Sequence, residues 1–574
     1  MMFPAAHTED QKTKSSFSEP QTQDIRPRSR FQPRRHLTSP VWRCRPLVRA
    51  ATSGSGGCWL VFTEAEGTAS ALARPLIEEM EAAGRSVFEV RVGDAFQHLG
   101  ETLYTVRRRS QEDLAAMLND LPELLGGVVW LRSLNAGSSK IQDRTGQTQA
   151  DELLHTTLVL SNHLDAPLER FAVVTAGLSL GKTESAVGEE VANDGTAPLR
   201  AAATWGLGRL LRSERPQLSP LLVDVDPRQP ASETISAALA SEILARSRED
   251  EVALRADSMV RGDSHLESPV QRFVYRLVPG IRGVPATTAV RNPGVHANAT
   301  YLITGDLAGT GADLALWLRD QGARRLVLIA RGDLTRAAGL AVAALHLSGV
   351  RVDLHHADLA DPREVEEMIE EIDRPEAPLK GIFHTARSYD SGRLEENNSD
   401  RLERMMARRA RGAWHLHEAA SRCDLDYFVV LSSFGAMVGE PGQCTAAVAD
   451  CFLDGLVMLR RQQGLPGLNV CLGPIGGLRL RRSLDSELAA RGHGVLPVEE
   501  AFRLMTEALR HGAAQIFAAR IDWRRWLLRS SAPWAPRYEE LGAREPDLLP
   551  LRPINRGPGR PMIDLRHCFM PVYD

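Results

Sequence analysis

The stretch that decides the fold is YLITGDLAGTGADLALWLRDQGA, Tyr301 to Ala323. It opens with a short apolar run, closes with apolar residues at helical spacing, and places Gly305, Gly309 and Gly311 between them. The pattern is strand, glycine loop, helix. Glycines at these points permit a tight turn and let backbone N–H groups approach a pyrophosphate at the helix N-terminus. Thr304 ends the strand. Asp306 works against the same reading, because its carboxylate repels a pyrophosphate unless it turns away.

Further apolar runs follow this unit. RRLVLIAR (Arg324–Arg331), VRVDLHHADL (Val350–Leu359), KGIFHTA (Lys380–Ala386), DYFVVLSS (Asp426–Ser433) and LNVCLGP (Leu468–Pro474) alternate with longer amphipathic stretches. That alternation predicts βαβ units and a parallel sheet. Arg331 ends the second strand where an acidic residue would meet a ribose hydroxyl. A guanidinium there suits a ribose 2′-phosphate, hence NADP. Asp358 follows the third strand, in reach of an adenine amino group.

The first half repeats the pattern more loosely. CWLVF (Cys58–Phe62), SVFEVRV (Ser86–Val92), GGVVWLRSL (Gly126–Leu134), RFAVVTAG (Arg170–Gly177) and SPLLVDVD (Ser219–Asp226) read as strands. LGGVVWLRS echoes LKGIFHTAR, and LERFAVVTAG echoes LDYFVVLSS. The expectation is two Rossmann-like, doubly wound parallel sheets side by side, the first truncated. VFTEAEGTASA (Val61–Ala71) has one glycine and two glutamates where phosphates would sit, so the first half is expected to be a scaffold.

Expected boundaries are a disordered basic arm at 1–55, a structural subdomain at 56–280, a catalytic-type subdomain at 281–535 and a tail at 536–574. The arm is rich in Arg, Pro and Ser. Glu9, Asp10, Glu19 and Asp24 count against a transit peptide there, and a mis-assigned upstream start is an alternative.

Composition excludes several classes. A net charge of −4 and 5% aromatic residues argue against a nucleic-acid-binding chain. The seven cysteines form no CxxC pair, so no zinc site or disulfide framework is indicated, and free thiols in a reducing cytoplasm are expected. His355 and His356 lack a suitably spaced third ligand, so no metal is expected. No apolar run is long enough to span a membrane.

WGLGRLLRSERPQL (Trp205–Leu218), LKGIFHTA, GAWHLHEAA, LDYFVVLSS, PGQ, FLDGL and IDWRRW together resemble the ketoreductase domain of modular type I polyketide synthases, a branch of the short-chain dehydrogenase/reductase family. The resemblance covers most of Cys58 to Trp526. It implies hydride transfer from NADPH to a β-ketoacyl group on an acyl carrier protein. It also implies a cofactor cleft that includes Leu359, His384, Thr385 and Ala386, and a Tyr–Ser–Lys–Asn proton system. Hydride addition places negative charge on oxygen, so a positioned donor is required.

Carried over by position, the family Ser falls on Ser433, the Tyr on Ala446, the Asn on Asp450 and the Lys on Arg409. Alanine donates no proton, and a guanidinium stays protonated. Asp450 lies one helical turn beyond Ala446 on the same face, where it is expected to pair with Arg409. Arg387 replaces the glycine of the family's HAAG, Tyr389–Ser391 replaces its LDD, and Leu472–Ile475 replaces its WGPW. Cys444 and Thr445 are read as small packing residues, with no local His to activate the thiol. His384 is read as a structural hydrogen-bonder, and residues 479–492 fall where the family carries a lid.

Three readings follow: a pseudo-ketoreductase that is structural or docks a carrier protein; an NADPH-dependent reductase with an unconventional donor; and a non-redox epimerase or isomerase using Asp450 or His384 as base. The first is favoured. Retention of NADPH stays open.

Overall fold

The computed structural model describes residues 37–47, 57–135, 145–164, 166–178, 197–245, 247–256, 270–281, 294–305, 307, 309–329, 335–385, 392–476, 482–529 and 536–542. Its strands are largely continuous apolar runs. All five residues of Cys58–Phe62 and all five of Leu468–Leu472 are buried, as expected for parallel strands covered on both faces.

The first half contributes β1 (Leu37–Cys44), β2 (Cys58–Phe62), β3 (Ser86–Val92), β4 (Gln97–Leu99), β5 (Leu103–Val106), β6 (Leu125–Trp130), β7 (Arg170–Ala176), β8 (Pro220–Val225), β9 (Glu251–Ala256) and β10 (Val270–Pro279). The second contributes β11 (Thr300–Gly305), β12 (Arg325–Ile329), β13 (Arg351–His355), β14 (Leu379–Thr385), β15 (Tyr427–Ser433), β16 (Leu468–Leu472) and β17 (Gln515–Ala518). In the first half β2 lies between β3 and β6; in the second β11 lies between β12 and β14. All four pairings are parallel, so the two halves are wound alike. In the first half residues 93–102 join β3 to β5 through the short antiparallel β4, where the second half uses a helix.

The two winding units are joined into one sheet. β9 pairs with β10, β10 with β1, and β1 with β17, all antiparallel. The β1–β10 register runs from Thr38↔Pro279 to Cys44↔Phe273. This corrects the expectation of a disordered arm for Leu37–Cys44. Flanking Arg and Pro residues hide this strand in the sequence, and its anchors are long-range: Trp42 meets Tyr275 at 5.5 Å and Trp205 at 5.8 Å between ring centres. Residues 536–542, assigned to the tail, also pack on the body. Arg537 is 1% exposed, 2.6 Å from Asp250 and 2.8 Å from Glu251.

Five helices matter below: α1 (Thr68–Ala82), α2 (Ala197–Glu214), α3 (Thr310–Asp320), α4 (Arg336–Leu347) and α5 (Cys444–Gln462). α2 and α5 join the halves in an antiparallel contact. A Cβ on Gly206 would lie 2.4 Å from the Ala447 carbonyl oxygen, and one on Gly455 would lie 2.9 Å from that of Pro198. Glycine is required where backbones approach this closely. Among the described residues, no helix is long and apolar enough to cross a membrane.

Candidate functional site

The glycine loop has a backbone only glycine accepts readily. Gly305 has φ +116°, and a Cβ there would lie 2.5 Å from the Thr385 carbonyl carbon. α3 begins after Gly309 with no side-chain cap, and Gly311 is buried in its first turn. The start of this helix carries the positive end of the helix dipole.

The first half is built differently at the matching place. There the Ala69 N–H donates to Asn135 Oδ1 at 2.8 Å, and a Cβ on Gly67 would strike the same carboxamide. Asn135 thus fills the start of α1. Glu64 beside it is held by Arg108 at 2.5 Å, and Arg108 also meets Glu152 at 2.9 Å. An anion would meet carboxylates here.

Around the second-half loop, Thr304 Oγ1 and His384 Nδ1 are 2.7 Å apart, and His384 Nε2 lies 3.2 Å from the Arg409 carbonyl oxygen. The neutral tautomer with Nε2–H fits both contacts, Thr304 donating to Nδ1. Thr385 Oγ1 donates to the Thr304 carbonyl at 2.7 Å. The Leu359 carbonyl accepts from His415 Nδ1 at 2.9 Å. Asp358 is exposed; its Oδ1 accepts from the Ala360 N–H at 3.1 Å. Arg331, Asp306, Ala386, Arg387 and Tyr389–Ser391 lie outside the described residues.

The four positions of the proton system converge. Arg409 sits in a π-helical turn, Ala407–Arg411, and Ser433 ends β15. Ala446 and Asp450 lie one turn apart on α5. Arg409 Nη1 donates to Asp450 Oδ1 at 2.5 Å, and the Ser433 N–H donates to Asp450 Oδ2 at 3.0 Å. Ser433 Oγ donates to Gln443 Oε1 at 3.3 Å. The Arg409 and Asp450 side chains are 3% and 1% exposed, so the pair is shielded from water. Burial raises the Cys444 thiol well above its usual range, leaving it protonated. Helix Arg482–Ala490 lies within the residues expected to form a lid.

Two carboxylates escaped the sequence reading. Glu214, from the end of α2, accepts from the Gly442 N–H at 2.6 Å and the Leu394 N–H at 2.7 Å. The first half thereby holds two loops beside the site, and burial raises the Glu214 pKa. Asp454, a further turn along α5 from Asp450, accepts from Gln515 Nε2 at 2.5 Å and from the Asn469 amide. Burial pushes its carboxyl up to about 7. The four-residue spacing of Asp450 and Asp454 in an apolar helix was a readable signal. Glu214 gave none, since its partners are 180 and 228 residues away. Among the described residues, no group of three or more His, Cys, Asp or Glu side chains is placed to hold a metal ion.

Comparison with known proteins finds similar sequences and folds. The family model described as KR domain matches residues 299–477. A phenolphthiocerol/phthiocerol polyketide synthase from Mycobacterium tuberculosis is 28% identical over 491 residues, covering 83% of this chain and 24% of that protein. Polyketide synthase GfsA of Streptomyces halstedii is 29% identical over 499 residues, covering 84% of this chain and 6% of that protein. The chain thus spans a quarter or less of these synthases. A solved A1-type ketoreductase superposes with a TM-score of 0.68 at 24% identity, covering 89% of this chain and 99% of that one. Residues 299–477 thus match the KR-domain model, and the chain as a whole has the two-part fold of solved polyketide synthase ketoreductases.

Proposed function

We propose that this chain is a redox-inactive ketoreductase-like component of polyketide assembly in the cytoplasm, with a structural role or a role in docking an acyl carrier protein. The Arg409–Asp450 ion pair beside Ala446 carries this reading. A reductase needs a proton donor where the alkoxide forms, worth about 10²–10⁴-fold in rate. Ala446 has none, the Ser433 hydroxyl donates to Gln443, and Arg409 is tied to a carboxylate. The base readings are weakened in the same way. Asp450 accepts from two groups, and both nitrogens of His384 are engaged.

The residues fit NADPH. The start of α3 and the glycines around it suit a pyrophosphate. NADPH supplies a hydride when bound; Thr304, Gly305, Gly309 and Gly311 would hold its phosphate half.

Titration of NADPH fluorescence, followed by turnover of a β-ketoacyl thioester, tests the proposal. Binding without turnover is expected. Turnover by the unmodified chain would overturn the redox-inactive reading. The variant Arg409→Lys/Ala446→Tyr/Asp450→Asn is expected to gain turnover if the pocket survives.

A further inference from the structure

The two halves of NADPH need different partners. The phosphate half needs N–H donors and positive potential, and the glycine loop with the start of α3 offers both. The nicotinamide half carries a neutral ribose, which binds through its hydroxyls and needs side-chain partners at short range. In a carbonyl reduction the hydride ends on carbon and the proton on the adjoining oxygen. The nicotinamide half therefore belongs beside the proton system. The groups that could hold it are those at the C-terminal ends of β11, β14 and β15, in the turn of Arg409, and at the start of α5.

Among the described residues these groups are engaged with one another. Arg409 Nη1 donates to Asp450 Oδ1 at 2.5 Å, and Asp450 Oδ2 accepts from the Ser433 N–H at 3.0 Å. Ser433 Oγ donates to Gln443 Oε1 at 3.3 Å. Thr304 Oγ1 and His384 Nδ1 are 2.7 Å apart, and His384 Nε2 lies 3.2 Å from the Arg409 carbonyl oxygen. Thr385 Oγ1 donates to the Thr304 carbonyl at 2.7 Å. Arg409, Asp450 and His384 are all buried. Opening the Arg409–Asp450 pair for a neutral hydroxyl would strand a buried charge. Neutral donors remain on Gln443 and on Thr445, whose hydroxyl is buried without a partner and lies about 100° around α5 from Ala446. Given that NADPH enters this cleft as proposed, we infer that the protein holds it by its phosphate half alone. The glycine loop and the start of α3 recognise a phosphorylated adenosine diphosphate, and the reduced, oxidised and nicotinamide-free forms bind alike.

Calorimetric titration of the full chain with NADPH, NADP⁺ and 2′-phospho-ADP-ribose tests this. The three dissociation constants are expected to agree within about tenfold, the most that one neutral hydrogen bond to the ribose adds. A preference for NADPH beyond about tenfold, over either of the others, would overturn the inference and leave the cofactor reading standing. If none of the three binds, the cofactor reading falls and the inference with it. The variant Arg409→Lys/Ala446→Tyr/Asp450→Asn removes the ion pair and adds an ammonium and a phenol. It should keep the parent's affinity for 2′-phospho-ADP-ribose, which shows that it is folded, and bind NADPH about tenfold tighter or more. A variant that keeps the first affinity and gains nothing in the second would also overturn the inference. Leu347→Gln is the control. Leu347 is 91% exposed and ends α4, which runs back from β12 to β13 and so finishes at the end of the sheet remote from the glycine loop. This substitution should change none of the constants.

Discussion

Arg409 and Asp450 meet at 2.5 Å where the ketoreductase resemblance places a lysine and an asparagine. Removing one partner of a buried ion pair strands the other charge, at a cost of about 3–5 kcal/mol. Asp450→Ala alone is expected to fall in that range by urea denaturation. Arg409→Met/Asp450→Leu, which removes both charges, should lose much less. Equal losses for the single and double variants would show that the pair is not the stabilising unit.

The helix contact between the halves offers a comparison of two glycines. Gly206→Ala places a methyl against the Ala447 backbone, and Gly208→Ala places one against the tip of the Leu222 side chain, which can turn aside. Overpacking typically costs about 1–3 kcal/mol. Alanine recovers roughly 1 kcal/mol of helix propensity. Gly206→Ala should therefore lower the urea midpoint clearly, and Gly208→Ala should lower it less. The reverse order would mean that the α2–α5 contact is looser than its geometry.

Asp454 should make stability fall as pH rises. Its native carboxyl titrates near 7, whereas an unfolded Asp titrates near 3.9. Below about 4 both states are protonated and the group has no effect. Between about 4 and 7 the unfolded state loses its proton first, and stability drops by roughly 4 kcal/mol at most. Above 7 the loss is complete. Asp454→Asn should flatten the stability profile between pH 4 and 7. A variant with the parent's slope would reject this assignment.

Arg537 is a further buried charge. It is 1% exposed and ties residues after the second half to Asp250 and Glu251 of the first. Arg537→Ala should cost about 3 kcal/mol or more, because it leaves buried carboxylates short of a cation. Arg537→Lys should recover only part, since one ammonium does not replace a planar guanidinium that reaches both acids. Thermal unfolding of the three proteins checks the order.

Much of this was readable in the chain. Continuous runs such as CWLVF and LNVCL signal buried parallel strands, and TGxxxGxG between a strand and a helix signals a tight glycine turn into a helix N-terminus. The Arg409–Asp450 pair followed from helical spacing and the family pattern. β1 was hidden, because a single strand among Arg and Pro residues carries no periodicity of its own; its identity is written in Trp205 and Tyr275, far along the chain. Asn135 at the start of α1 was hidden for the same reason, lying 66 residues from the N–H it accepts.

The ribbon of β1 and β10 has a practical consequence for dissecting this molecule. A fragment begun after residue 280 would lack both ribbon strands, leaving one side of β17 without its native neighbour. It would also lose α2, stripping the surface of α5 around Ala447. An open strand edge invites addition of strands from other chains. Insolubility of such a fragment would then report a torn seam, not an intrinsically unstable catalytic half.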